Sequence, residues 1–233
     1  MSAVTVLPDG KQVDLEIPDP SWWSRACGAN LAGATVGTVG RPEDNGFPCI
    51  WDETGSLSLL ETVPGCAVSI NDGGTIVGEL VLENGEHLTR LWMPGGGGWR
   101  RVDLTGDLAV NMRPSAISNE GVVVGYSPAH GALRWDSEEG IQILGTSGVV
   151  GFSAARDVND RGEIVGLESA ASGSIAMLWR RDEMIDLNKR IDPLQGWHLD
   201  EAVAISNPGT IACMGQRDDR REVVLLVPRR ATG

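Results

Sequence analysis

Hydrophobic and polar positions along the chain follow one order five times. In "SINDGGTIVGEL", from Ser69 to Leu80, an apolar residue leads into a short polar turn, a glycine, a β-branched run and a second glycine. The order recurs in "GANLAGATVGTV" from Gly28, "AISNEGVVVGYS" from Ala116, "DVNDRGEIVGLE" from Asp157 and "AISNPGTIACMG" from Ala204. The first glycines, Gly33, Gly74, Gly121, Gly162 and Gly209, stand 41, 47, 41 and 47 residues apart. A recurring spacing of this length marks a repeat array.

Each window reads as a tight hairpin. An Asn-Asp or Ser-Asn pair can bond its own backbone, the glycine closes the turn, and "TIV", "VVV", "EIV" or "TIA" continues as a strand. A third strand follows in "FPCIW", "LTRLW", "GALRW" and "IAMLW", which end on Trp51, Trp92, Trp135 and Trp179. After a turn, a short fourth strand reads "SLSLL", "RRVDL", "IQILG" and "MIDL". Four strands in each unit of about 40–45 residues are the signature of a propeller blade. The sequence therefore predicts an all-β, five-bladed β-propeller with four antiparallel strands per blade, forming a single domain over residues 1–233.

The chain ends on a third-strand stretch, "EVVLLVP", with no fourth strand after it. The matching stretch "KQVDL", Lys11 to Leu15, precedes the first window. Its pairing with the C-terminal blade would close the ring and remove a free sheet edge. "VTVL", Val4 to Leu7, also has third-strand character and competes with Val223 to Val227 for that place.

The order Ile-Asn-Asp-x-Gly-x-Ile-Val-Gly, then an apolar strand ending in Leu-Trp, then a turn and Asp-Leu, resembles the HAF repeat, an extracellular-type repeat of many bacterial proteins. The resemblance covers almost the whole chain and implies a β-propeller, with no activity attached. Two departures are "NLAG" in the first window and Cys213 in place of the second glycine of the fifth.

Composition changes the picture in two respects. A net charge of −13 and a pI near 4.6 argue against nucleic acid and anionic membranes, which need a basic stripe. "MSAVTVLPDGKQVD" lacks a basic start and a sustained apolar run, and no stretch is long enough to span a bilayer, so a cytoplasmic protein is expected despite the family name. Cys27, Cys49, Cys66 and Cys213 show no Cys-x-x-Cys spacing and read as buried reduced thiols.

Function is sought in what the repeats do not share. Loops on one face of the expected ring hold Trp22, Trp23, Phe152, Trp197, His198, His87, His130 and Tyr126, whereas the hairpin turns of the other face are uniform. Aromatic and titratable groups on loops of a rigid scaffold suit a ligand site, although each tryptophan could equally plug its own loop. The histidine spacing offers no metal pair, and the glycines of "MPGGGGW" open no helix to cradle a phosphate, so neither metal nor cofactor is expected.

The innermost strands add a charged set. Five positions before the turn residue aligned with Asn71 stand Arg25, Cys66, Arg113, Ala154 and Glu201, and two positions further on stand Cys27, Val68, Ser115, Arg156 and Val203. Arg25, Arg113 and Arg156 either strut neighbouring blades or hold an anion at an axial mouth, with Glu201 or His198 moving a proton. The first functional reading is thus a small-molecule protein, a cofactor-independent cyclase, isomerase or lyase or a plain binder. Its catalytic set is Glu201, His198 and Arg113, and its binding set is Arg25, Arg113, Arg156, Trp22, Trp23, Trp197, Tyr126, His130, His87 and Cys66. The alternative is a protein-interaction platform on the same face; a lectin fits less well, because polar and aromatic groups do not repeat in every module, and so does a glycosidase, because the loops are too short to build a sugar cleft.

Overall fold

The computed structural model describes residues 3–6, 10–106, 111–146, 151–170, 173–181 and 183–228. The loop segments 107–110 and 147–150 and Leu7 of the "VTVL" stretch lie outside them. The chain divides into two compact units, 1–117 and 118–233.

Unit 1 opens with a ribbon of β1 (Val4–Val6) and β2 (Gln12–Asp14). An antiparallel meander follows: β3 (Trp23–Ala29), β4 (Thr35–Gly40), β5 (Phe47–Trp51) and β6 (Leu57–Leu59). A second comprises β7 (Gly65–Ile70), β8 (Ile76–Val81), β9 (His87–Gly95) and β10 (Gly98–Asp103), and β11 (Arg113–Ile117) ends the unit.

Unit 2 begins with β12 (Val123–Ser127), β13 (Gly131–Asp136) and β14 (Gly140–Ile143). Next come β15 (Ser153–Val158), β16 (Ile164–Ala170), β17 (Gly173–Arg180) and β18 (Glu183–Asp186). After two short 3-10 turns the unit closes with β19 (His198–Ile205), β20 (Ile211–Arg217) and β21 (Arg220–Leu226).

The five windows form one turn in five copies. At Asn71 the backbone N–H bonds Thr75 O (3.0 Å), Gly74 N–H returns to Asn71 O (3.0 Å), and Asn71 Oδ1 accepts from Thr75 N (2.9 Å). Gly74 sits at φ 78°, where a side chain would be strained. Asn30, Ser118, Asn159 and Ser206 repeat the side-chain bond to the backbone four residues on. The windows also clasp their successors within each unit. Leu31 N bonds Asp72 Oδ1 (3.0 Å), Asn119 N bonds Asp160 Oδ1 (2.9 Å), and Asp160 N bonds Asn207 Oδ1 (2.9 Å). The polar pair is thus both a turn former and a link between sheets.

The second glycine has a packing reason. A Cβ at Gly78 would lie 2.2 Å from the carbonyl oxygen of Cys66, and one at Gly166 would lie 2.0 Å from that of Ala154. Neither position has room for a side chain. Beside them, the innermost strands carry irregularities at Ala26/Gly28, Ala67/Ser69, Ala155/Asp157 and Ala202/Ala204. Such bulges break the strict alternation from which a common side for Arg25 and Cys27, or Ala154 and Arg156, was expected.

Large apolar residues fill the spaces between sheets. Trp51, Trp92 and Trp179 are buried, whereas Trp135 is half-buried. Trp51 Nε1 donates to Glu16 O (2.7 Å) and Trp92 Nε1 to Glu61 Oε1 (3.2 Å), satisfying the indoles inside the core.

Two expectations about the strands are corrected. The described strands form six sheets: four of four strands, one of three and the two-stranded ribbon. Gln12–Asp14 does not complete the last sheet; it pairs with Val4–Val6, from Val4↔Asp14 to Val6↔Gln12. A local hairpin needs little loop-closure entropy. Leu15 N to Ala3 O (3.1 Å) extends the ribbon, which is anchored in unit 1 by Ala3 N to Ser24 Oγ (2.8 Å), Glu16 N to Gly55 O (2.9 Å) and the Trp51 bond to Glu16.

Candidate functional site

Unit 1 gathers several of the expected site residues around β7 and β8. Cys66 stands opposite Glu79 in the ladder. His87 Nδ1 lies 3.1 Å from Glu79 Oε2, and Arg113 NH2 lies 3.1 Å from His87 Nε2. Because a guanidinium only donates, His87 accepts at Nε2 and its Nδ1–H donates a hydrogen bond to Glu79. Arg113 NH1 is also 3.9 Å from that carboxylate. Arg25 is exposed, and its side chain makes no ion pair or hydrogen bond among the described residues. Trp22 and Trp23, the latter the first residue of β3, both make packing contacts. Trp23 Nε1 bonds Arg41 O (2.8 Å), and its ring lies over Gly40 and Gly46, where a Cβ would approach it within 2.9 and 2.7 Å. Trp22 packs beside Phe47 (6.4 Å between centroids), under Arg41, and against buried Leu15, Val39, Cys49 and Trp51.

Unit 2 holds the remainder. Arg156 Nε is 2.5 Å from Glu201 Oε1, and its guanidinium lies 5.8 Å over the Tyr126 ring, itself edge-on to Phe152 at 5.3 Å. Glu201 is therefore ion-paired, and the Arg156 side chain bridges β15 and β19. His198 Nε2 bonds Ser174 O (3.0 Å), with Asp200 at 3.6 Å, and Trp197 stacks under Arg217 (4.3 Å). His130 lines a separate 380 Å³ hollow with Pro128, Phe152 and Ser153. Among the described residues, no three His, Cys, Asp or Glu side chains converge as a metal ion would require.

A cavity of about 620 Å³ in unit 2 lies beside β21 on the side of the hairpin windows. Leu178, Ile185, Leu187 and Ile211 make an apolar floor, and Leu225 to Pro228 form one wall. Arg161, Arg180 and Arg190 stand on the rim. Glu163 accepts from Arg161 (2.5 Å at NH2) and lies 3.9 Å from Arg180, whereas Arg190 is exposed with no ion pair among the described residues. Alongside, β21 ladders with β20 from Arg220↔Arg217 to Leu226↔Ile211, and no described strand pairs with its outer edge. Val224 and Leu226 pack inward, while Val223 and Leu225 are 65% and 63% exposed. The sequence signal for this groove was the third-strand character of "EVVLLVP"; the uniformity of the hairpin turns had drawn attention to the other face.

Four-stranded antiparallel meanders repeated around clasped turns are propeller blades, and the fold class is β-propeller. A TolB-like protein from Agrobacterium tumefaciens aligns with a TM-score of 0.55 and 11% identity, covering 80% of this chain and 79% of that one, a likeness that bears on the fold alone. A structure of YCF48 bound to D1 peptide aligns with a TM-score of 0.48 and 14% identity, over 92% of this chain and 74% of that one. No family model matches the sequence, the HAF repeat included, and no curated protein matches it.

Proposed function

We propose that this chain is a binding scaffold that captures an extended acidic and apolar segment of a protein partner by adding it as a strand to β21. One observation carries the reading: among the described residues no strand pairs with the outer edge of Arg220–Leu226, which lies beside an apolar groove rimmed by arginines. An unpaired strand edge offers a row of main-chain donors and acceptors, which an incoming peptide satisfies while its alternate side chains enter pockets. Ile185 and Leu187 would receive an apolar side chain, and Arg180 or Arg190 a carboxylate in a forked bond. The rim is a local basic spot on an acidic chain, which favours acidic partners. An anionic small molecule held by Arg25, Arg113 and Arg156 has weaker support, since Arg113 and Arg156 are committed to His87 and Glu201.

The test is fluorescence anisotropy with a labelled peptide bearing the chain's own fourth-strand stretch "EMIDLNK", titrated with the full chain. Saturable binding is expected to weaken at least tenfold, roughly 1.4 kcal/mol, in both Leu225→Asp and Arg190→Ala. Absence of saturable binding, or a smaller effect in either variant, overturns the proposal.

A further inference from the structure

The four cysteines separate into two kinds. Cys49 and Cys213 are fully buried, and burial pushes the Cys213 thiol up to about 12 and that of Cys49 upward too. Cys27 and Cys66 lie outside that pattern, and the expectation of buried thiols fails for both. Cys27 is exposed, Cys66 is half-buried, and their sulfurs are 3.6 Å apart.

The fold holds this pair together. Cys27 sits at the irregularity of β3 and Cys66 near that of β7. One residue beyond Cys27, a Cβ at Gly28 would lie 3.2 Å from the Cα of Ser69, so the two innermost strands touch there. Asn30 Nδ2 to Asn71 O (3.2 Å) and Leu31 N to Asp72 Oδ1 (3.0 Å) pin their relative position at the turn. A disulfide needs about 2.05 Å between sulfurs, a closure of roughly 1.5 Å from the 3.6 Å present, within reach of side-chain rotation.

We propose that Cys27 and Cys66 are a redox dithiol, which a peroxide converts into a disulfide that staples β3 to β7. The Cys66 thiolate attacks one peroxide oxygen; the O–O bond breaks, Cys66 becomes a sulfenic acid, and the departing hydroxide takes up a proton to leave as water. The Cys27 sulfur then attacks the Cys66 sulfur, the S–O bond breaks, and hydroxide leaves with the Cys27 proton as a second water. Two thiols have given up two electrons and two protons, and hydrogen peroxide has become two waters. An external dithiol reverses the step by exchange.

The surroundings assign the roles. The hydrogen bond from Cys27 is the main cause that holds the Cys66 pKa down, to about 7, helped by Thr38 and the Arg25 charge against burial and the Glu79 carboxylate. Cys27 is pushed up chiefly by that same bond, so the pair releases its first proton readily and keeps its second. His87 and Arg113, bonded in series behind Glu79, complete the charged groups on this side. Cys66 is thus the attacking sulfur and Cys27 the resolving one.

The full chain, reduced and folded at neutral pH, is treated with hydrogen peroxide, alkylated, and mapped by mass spectrometry. The expected product links the peptides of Cys27 and Cys66, two hydrogens lighter, and dithiothreitol restores both thiols. Cys27→Ser should leave a sulfenic acid on Cys66 that dimedone traps, Cys66→Ser should react at neither site, and Arg25→Ala should slow linkage by about threefold. Absence of the linked pair in folded protein, or peroxide reaction at Cys27 undiminished in Cys66→Ser, overturns the proposal.

Discussion

Arg156 Nε donates to Glu201 Oε1 across 2.5 Å and so ties β15 to β19, the innermost strands of neighbouring sheets in unit 2. The arginine and glutamate side chains are 35% and 21% exposed, between the surface and the buried extremes. A double-mutant cycle of Arg156→Ala and Glu201→Ala, read by urea denaturation, is expected to give a coupling of about 1 kcal/mol. A coupling near zero would show that the pair does not strut the sheets.

Gly78 faces the Cys66 carbonyl, which a Cβ would meet at 2.2 Å, and the Trp92 ring, which it would meet at 2.9 Å. Both neighbours are held in the core, so neither can yield cheaply. Gly78→Ala should cost about 3 kcal/mol or more, measured as a lowered thermal midpoint. Gly95→Ala, where nothing lies within 4 Å of the built Cβ, should change little.

Leu15 is 2% exposed and packs with Val39, Cys49 and Trp51, which makes it the anchor of the N-terminal ribbon on the first meander. Leu15→Ala should destabilise the fold by about 3 kcal/mol. An unchanged denaturation midpoint would mean that this segment is not seated there.

Glu163 makes stability depend on acid. Burial pushes its carboxyl up, but the Asn159 amide and the Arg161 and Arg180 charges outweigh it and leave the group below its ordinary 4.5. As pH falls below 4.5 the unfolded chain takes the proton first, so Glu163 stabilises the fold above that value and loses its contribution as pH drops through the lowered one. Glu163→Gln should therefore flatten the acid limb of a stability-against-pH curve relative to the unaltered chain. An identical slope in both proteins would count against the Arg161 and Asn159 contacts.

The repeat was legible in the residues because it rests on local chemistry. Asn71, Gly74 and their counterparts determine a turn through bonds that close within five residues, and the alternating apolar runs between them can form only strands. The recurring tryptophans announced a core for the same reason. The sequence by itself thus determined the windows, most of the strands and the propeller class.

Pairings between distant segments were decided only by the tertiary structure. Lys11 to Leu15 matches the fourth strands in sequence, yet β-pairing depends on which edge is nearest, and the nearby β1 took it. Nor could strand alternation foresee the bulges that shift register beside Cys27 and Arg156. Arg156 meeting Glu201, Cys27 meeting Cys66, and the groove beside β21 each depend on side chains from strands that only the packing of neighbouring sheets brings together. Residue type makes such contacts possible; where the backbone carries each side chain determines which of them form.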